Sequence, residues 1–148
     1  MVASGVDIVE VGFPYSHPLM DGPTIQAAAQ IALAQGTRAG DVLRTVEGVA
    51  ATGAPCLVMT YWNPIERYGV DSFAADLAKA GGCGVITPDL IPDEAEPWIA
   101  ATDAAGIDTV FLVAPSSTPE RIARVAHVTT GFVYAASTMG VTGARARV

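Results

Sequence analysis

The chain is predicted to fold as an α/β protein built on a parallel sheet. Short β-branched runs alternate with longer alanine-rich segments whose apolar residues recur at helical spacing, the pattern of successive βαβ units. The strand candidates are almost wholly apolar rather than alternating, as strands covered on both faces are. The steps from Cys56 to Gly84 to Phe111 to Val133 are about 28, 27 and 22 residues, each the size of one βα unit.

Strands are expected at residues 7–12, 55–61, 84–87, 109–114 and 132–137, and helices at 24–34, 39–51, 71–80, 93–105 and 119–128. Gln35-Gly36 ends the first helix, and Gly53, Gly81-Gly82 and Gly106 end the next three, because glycine accepts the left-handed conformation of a C-terminal cap. In Ser117-Thr118-Pro119-Glu120, Thr118 caps the last helix and Pro119 supplies a preset first φ. Asp93-Glu94-Ala95-Glu96 puts negative charge at the positive end of the fourth helix. The first strand-to-strand step is longer because it holds two helices. With no linker, low-complexity tract or charge run, residues 1–148 read as one structural unit.

Composition narrows the function. Eight Lys plus Arg against 15 Asp plus Glu give 148 residues a net charge of −7, which excludes nucleic acid held by counterion release and repels anionic membrane. Hydrophobic residues at 51% and charged residues at 16% place the chain among globular proteins with a real core. No apolar run reaches the roughly 18 residues of a membrane span, and residues 1–7 carry no secretory signal. Cys56 and Cys83 lie in apolar contexts without metal-ligand spacing, and read as reduced core thiols of a cytoplasmic protein, with a disulfide or a catalytic thiol as the alternatives. His17 and His127 are the only histidines and form no cluster, so no metal site is expected.

The polar residues gather at one rim. Each strand candidate is followed by polar or loop-forming residues: Glu10 with Asp21, then Tyr61-Trp62-Asn63-Pro64, Thr87-Pro88-Asp89, Ser116-Ser117, and Ser137 through Gly143. In a βα barrel or an open doubly wound sheet, that rim is where ligands bind. Glu10 stands between two valines in Asp7-Ile8-Val9-Glu10-Val11-Gly12, so by period two it points opposite to both. In a closed barrel that direction is inward, where desolvation would raise its pKa and fit it to act as a general acid. The alternative is an ordinary charge on an exposed edge strand.

These residues also form a familiar order. Glu10-Val11-Gly12-Phe13-Pro14-Tyr15-Ser16, then Pro18-Leu19-Met20-Asp21-Gly22-Pro23-Thr24-Ile25-Gln26, closely resembles the signature of the tryptophan synthase alpha subunit. Met59-Thr60-Tyr61-Trp62-Asn63-Pro64, Pro88-Asp89-Leu90, Val113-Ala114-Pro115, and Tyr134-Ala135-Ala136-Ser137 through Gly140-Val141-Thr142-Gly143 match later motifs in the same order, so the resemblance covers essentially the whole chain. Dense Ala, Gly and Arg usage, with Lys79 the only lysine, resembles the actinobacterial branch.

The resemblance implies a (β/α)₈ barrel that cleaves indole-3-glycerol phosphate into indole and glyceraldehyde 3-phosphate. It implies Glu10 as the catalytic acid-base group, and Asp21 as the carboxylate that hydrogen-bonds the indole N–H. Tyr61, Tyr134, Thr142 and Gly143 are implied to bind substrate, the glycine amide contributing to the phosphate site. It implies no cofactor in this chain, with pyridoxal phosphate only in the tryptophan synthase beta subunit, the partner in an alpha2-beta2 assembly. Within Ser16-His17-Pro18, His17 stands where the family carries an acidic residue in a loop facing that partner.

Length departs from the family. An eight-unit barrel takes about 200 residues at least and typically about 250. This sequence opens on what resembles the family's second strand and stops just after the sixth, with Arg145-Ala146-Arg147-Val148. It is therefore expected to be a partial barrel covering roughly strands 2 to 6, from an incomplete or internally started gene product and inactive by itself. A non-catalytic fragment docking on the beta subunit and a flavodoxin-like small-molecule binding domain are the alternatives, the latter opposed by the lack of a Gly-rich phosphate loop after the first strand.

Overall fold

The computed structural model describes residues 1–137. It is an α/β fold with β1 (Val9–Gly12), β2 (Cys56–Met59), β3 (Gly84–Ile86) and β4 (Asp108–Val110) in one parallel sheet of that order. A second parallel pair joins β5 (Leu112–Val113) to β6 (Tyr134–Ala135). The helices are α1 (Pro23–Ala34), α2 (Ala39–Ala50), α3 (Trp62–Tyr68), α4 (Val70–Lys79), α5 (Glu96–Ala105) and α6 (Pro119–Val128).

The helices bury their periodic apolar faces on one side of the sheet. Val42 and Val46 of α2, Phe73, Ala74 and Leu77 of α4, and Trp98 and Ala101 of α5 join Cys56, Val58, Val85 and Phe111 in the main core. Leu57, Ile86 and Val110 form a smaller cluster with Met59, Leu112 and Tyr134. Strand neighbours in register share a face, and Leu57 pairs with Glu10 while Ile86 pairs with both Met59 and Val110, so this cluster lies on the sheet face opposite the helices. α1 is the exception: it buries no residue, and Ile25 and Ile31 are exposed.

Several expectations are met at the level of single caps. Thr118 accepts the Arg121 N–H at 3.3 Å, with Pro119 at the head of α6. Two helices do separate β1 from β2, and Gly106 closes α5 in the left-handed region at φ 69°.

Three expectations are corrected. The helix expected at 93–105 begins only at Glu96, and Pro92–Glu94 form a separate 3-10 turn. Pro97 explains it: a proline lacks the N–H needed inside a helix and crowds the preceding turn, so it fits in the first turn and not four residues in. Residues 62–64 were expected to be loop, yet they open α3, since Pro64 falls in the first turn, where amide hydrogens have no intrahelical partner. The strand expected at 109–114 breaks at Phe111. Its first half pairs with β3, while the Phe111 carbonyl and β5 turn to β6, accepting the Tyr134 N–H at 3.1 Å. One chain segment thus links the two sheets.

Gly84 shows how tightly β3 and β4 approach. A Cβ there would stand 2.9 Å from the Asp108 carbonyl oxygen and 3.0 Å from its Cβ. Gly84→Ala is expected to cost about 1–3 kcal/mol, since backbone and not a flexible side-chain tip must move. Chemical denaturation of the two forms measures it; an unchanged midpoint contradicts this packing.

Candidate active site

The C-terminal ends of the strands and the loops that follow them build the polar rim. After β1 the chain is stitched to β2 by the Phe13 N–H donating to the Met59 carbonyl at 2.9 Å, then runs across the rim to α1. Glu10, from β1, is on the sheet face opposite the helices, the face shared with Leu57, Ile86, Val110 and Tyr134. The direction read from its valine neighbours is therefore the observed one. Its burial is not: Glu10 is exposed, because that face is open beside β1 among the described residues. The desolvated carboxyl expected from the sequence is corrected to a solvated one.

Asp21 is half-buried and held at more than one point. Its Oδ1 accepts the Tyr61 hydroxyl proton at 3.1 Å, and its backbone carbonyl accepts from Gln26 Nε2 at 2.8 Å. Tyr61 is 5% exposed, and its oxygen also accepts the Met20 N–H at 2.9 Å. Burial, above all, raises the Tyr61 pKa from the ordinary phenol value, so the group remains a donor at neutral pH. The Tyr15 ring packs against Tyr61 with centroids 5.5 Å apart, and exposed His17 bonds Ser16 Oγ through Nδ1 at 2.8 Å.

Asp89, half-buried after β3, accepts the Trp62 N–H at 2.9 Å and so caps α3 from another loop. Burial raises its carboxyl above the ordinary range, with the Trp62 N–H acting in the opposite sense. A carboxyl that holds its proton more tightly folded than unfolded contributes stability at low pH and loses it as pH rises from the ordinary carboxylate range through the raised folded value. Asp89→Asn keeps an acceptor oxygen and removes the titration. The melting temperature of the native chain relative to that variant is expected to fall as pH rises above the ordinary carboxylate range of about 4; a flat or rising difference contradicts it.

A cleft of about 310 Å³ opens at this rim between Met20, Pro88, Leu90, Leu112, Ser117 and Arg121. Tyr134, half-buried on β6, reaches the same sheet face as Glu10 from a different strand. The structure thus joins Asp21 to Tyr61 directly and aligns Glu10 with Tyr134 on one face. Thr142 and Gly143 lie outside the described residues. Gln26 and Asp89, the anchors of Asp21 and of α3, were not read as such from the sequence; the Pro88-Asp89-Leu90 motif was the available signal for the second.

The family model for the tryptophan synthase alpha chain matches residues 1–148. The chain belongs to that family. The tryptophan synthase alpha chain of Thermobifida fusca is 69% identical over 148 residues, which are 100% of this chain and 55% of that protein. The alpha chain of Mycobacterium marinum is 65% identical over 98% of this chain and 54% of its own length. Among solved structures, Mycobacterium tuberculosis tryptophan synthase aligns with TM-score 0.93 and 62% identity over 97% of this chain and 56% of that one. The Legionella pneumophila tryptophan synthase alpha subunit aligns with TM-score 0.87 and 37% identity over 92% of this chain and 53% of its own. The actinobacterial resemblance read from composition agrees with these identities. The chain spans about 55% of the length of the tryptophan synthase alpha chains it matches.

Proposed function

We propose that residues 1–148 form one domain, roughly strands 2 to 6 of a (β/α)₈ barrel, and carry the proton-transfer groups for cleavage of indole-3-glycerol phosphate. The observation that supports this most is the placement of Glu10 on the sheet face opposite the helices, on the strand whose following loop presents the anchored Asp21 carboxylate.

In this reading the Glu10 carboxyl gives its proton to C3 of the indole, turning the ring into an iminium-like electron sink. Removal of the proton from the glycerol hydroxyl at the adjoining carbon forms the aldehyde carbonyl. The bond between that carbon and C3 breaks, and its electron pair returns to the ring as indole leaves. Glu10, ionised by its first step, is suited to take the hydroxyl proton. Asp21 accepts the indole N–H and stabilises the positive charge that develops there, an electrostatic contribution. Tyr61 and Tyr134 flank the substrate, and the Thr142-Gly143 segment offers a backbone N–H to its phosphate. No cofactor takes part in these steps; pyridoxal phosphate belongs, in this proposal, to a beta-subunit partner docking over the loops near residues 14–23 and 61–64, in the cytoplasm.

Asp21→Asn is expected to lower the rate by less than Glu10→Gln does, because an amide oxygen still accepts the N–H but carries no charge. Steady-state indole release compares them, and an equal loss would assign proton transfer to Asp21. The reading as a whole is tested by substituting these 148 residues for the matching part of the Thermobifida fusca alpha chain. That chimera is expected to release indole, whereas the 148 residues alone, with one phosphate loop, are not. A folded chimera without indole release overturns it.

A further inference from the structure

The Tyr61 hydroxyl is fully committed inside the protein. It donates to Asp21 Oδ1 at 3.1 Å and accepts the Met20 N–H at 2.9 Å, in a side chain only 5% exposed. A phenol has one proton to give, and here that proton faces a carboxylate rather than the open cleft. The ring cannot shift freely either. Tyr61 is the N-cap residue of α3, the next residue's N–H is fixed by Asp89 Oδ1 at 2.9 Å, and the Tyr15 ring packs against it at 5.5 Å. The loops after β1, β2 and β3 are thereby tied in series, Asp21 to Tyr61 to Trp62 to Asp89. On the other side, Gln26 of α1 holds the Asp21 carbonyl at 2.8 Å. Main chain and one carboxylate oxygen of Asp21 are both restrained, which leaves Oδ2 as the oxygen without a side-chain partner among the described residues.

We infer that Tyr61 is a positioning residue that fixes the rotamer of Asp21 and aims its second carboxylate oxygen at the ring nitrogen of an indole substrate. The assignment rests on the proposed cleavage reaction. It replaces a direct polar contact between Tyr61 and substrate with an action through Asp21. Electrostatic stabilisation depends on where the carboxylate is held, and a displacement of about 1 Å costs on the order of 10²-fold in rate.

The test uses the full-length chimera with Thermobifida fusca. Tyr61→Phe keeps the ring and removes the hydroxyl. It is expected to lower kcat by about 10-fold to 10²-fold, with KM changed far less. The Tyr61→Phe/Asp21→Ala double variant is expected to be no slower than Asp21→Ala alone, because the first change acts only through the group the second removes. A raised KM with kcat preserved, or losses that multiply, overturns the positioning role. A second measurement does not depend on turnover. With ¹³Cζ-tyrosine placed at position 61, the ring resonance is expected to shift on Asp21→Asn, and an unshifted resonance overturns the contact and the role with it. A folded chimera that makes no indole overturns the cleavage reading instead, so the two failures are distinguishable.

Discussion

Glu10→Gln in the full-length chimera is expected to reduce indole formation by about 10²-fold to 10⁴-fold, the contribution typical of a positioned acid-base group. Glutamine has the size and shape of glutamate but carries no proton that it can deliver and recover. The substitution should leave the fold untouched, because the amide is isosteric with the carboxyl and Glu10 makes no side-chain hydrogen bond among the described residues. Stability and activity therefore separate cleanly at this position. Indole release is followed together with a thermal melt: an unchanged melt with lost turnover supports the role. Turnover at the native rate contradicts it.

Trp98→Ala is expected to cost about 3–5 kcal/mol, the largest stability loss of any change considered. Trp98 is fully buried on α5 and meets Trp62 edge-on at 6.0 Å and Phe73 at 6.4 Å. Removing the indole empties the point where α3, α4 and α5 converge, and Trp62 adjoins the residue that contacts Asp21. Trp98→Phe should cost much less, since its Nε1–H has no partner among the described residues and only volume is lost. Denaturant midpoints of the two variants decide it, and similar losses for both would show that the ring N–H matters more than the packing.

What the sequence made legible was local. The cap of α6 could be read from Thr118-Pro119 and the double helix between β1 and β2 from spacing, because both depend on neighbours along the chain. The side to which Glu10 points followed from period two. Its exposure did not, because solvent access depends on what covers the face and not on the strand itself. The break at Phe111 arises from pairing with two different strands, which no run of six residues reveals. α3 was hidden by Pro64, whose meaning depends on whether it falls in the first turn. The bond between Asp21 and Tyr61 joins residues forty apart, and nothing in their spacing announces it.

The arrangement of Glu10 and Asp21 about the indole ring is the core of the proposed chemistry, and a crystal structure of the chimera with a non-cleavable indolyl-alkyl phosphate tests it most directly. The Glu10 carboxyl is expected over C3 of the ring and Asp21 Oδ2 within hydrogen-bond distance of the ring nitrogen, with Oδ1 still bonded to Tyr61. An indole bound away from Glu10, or with its nitrogen turned from Asp21, would contradict it.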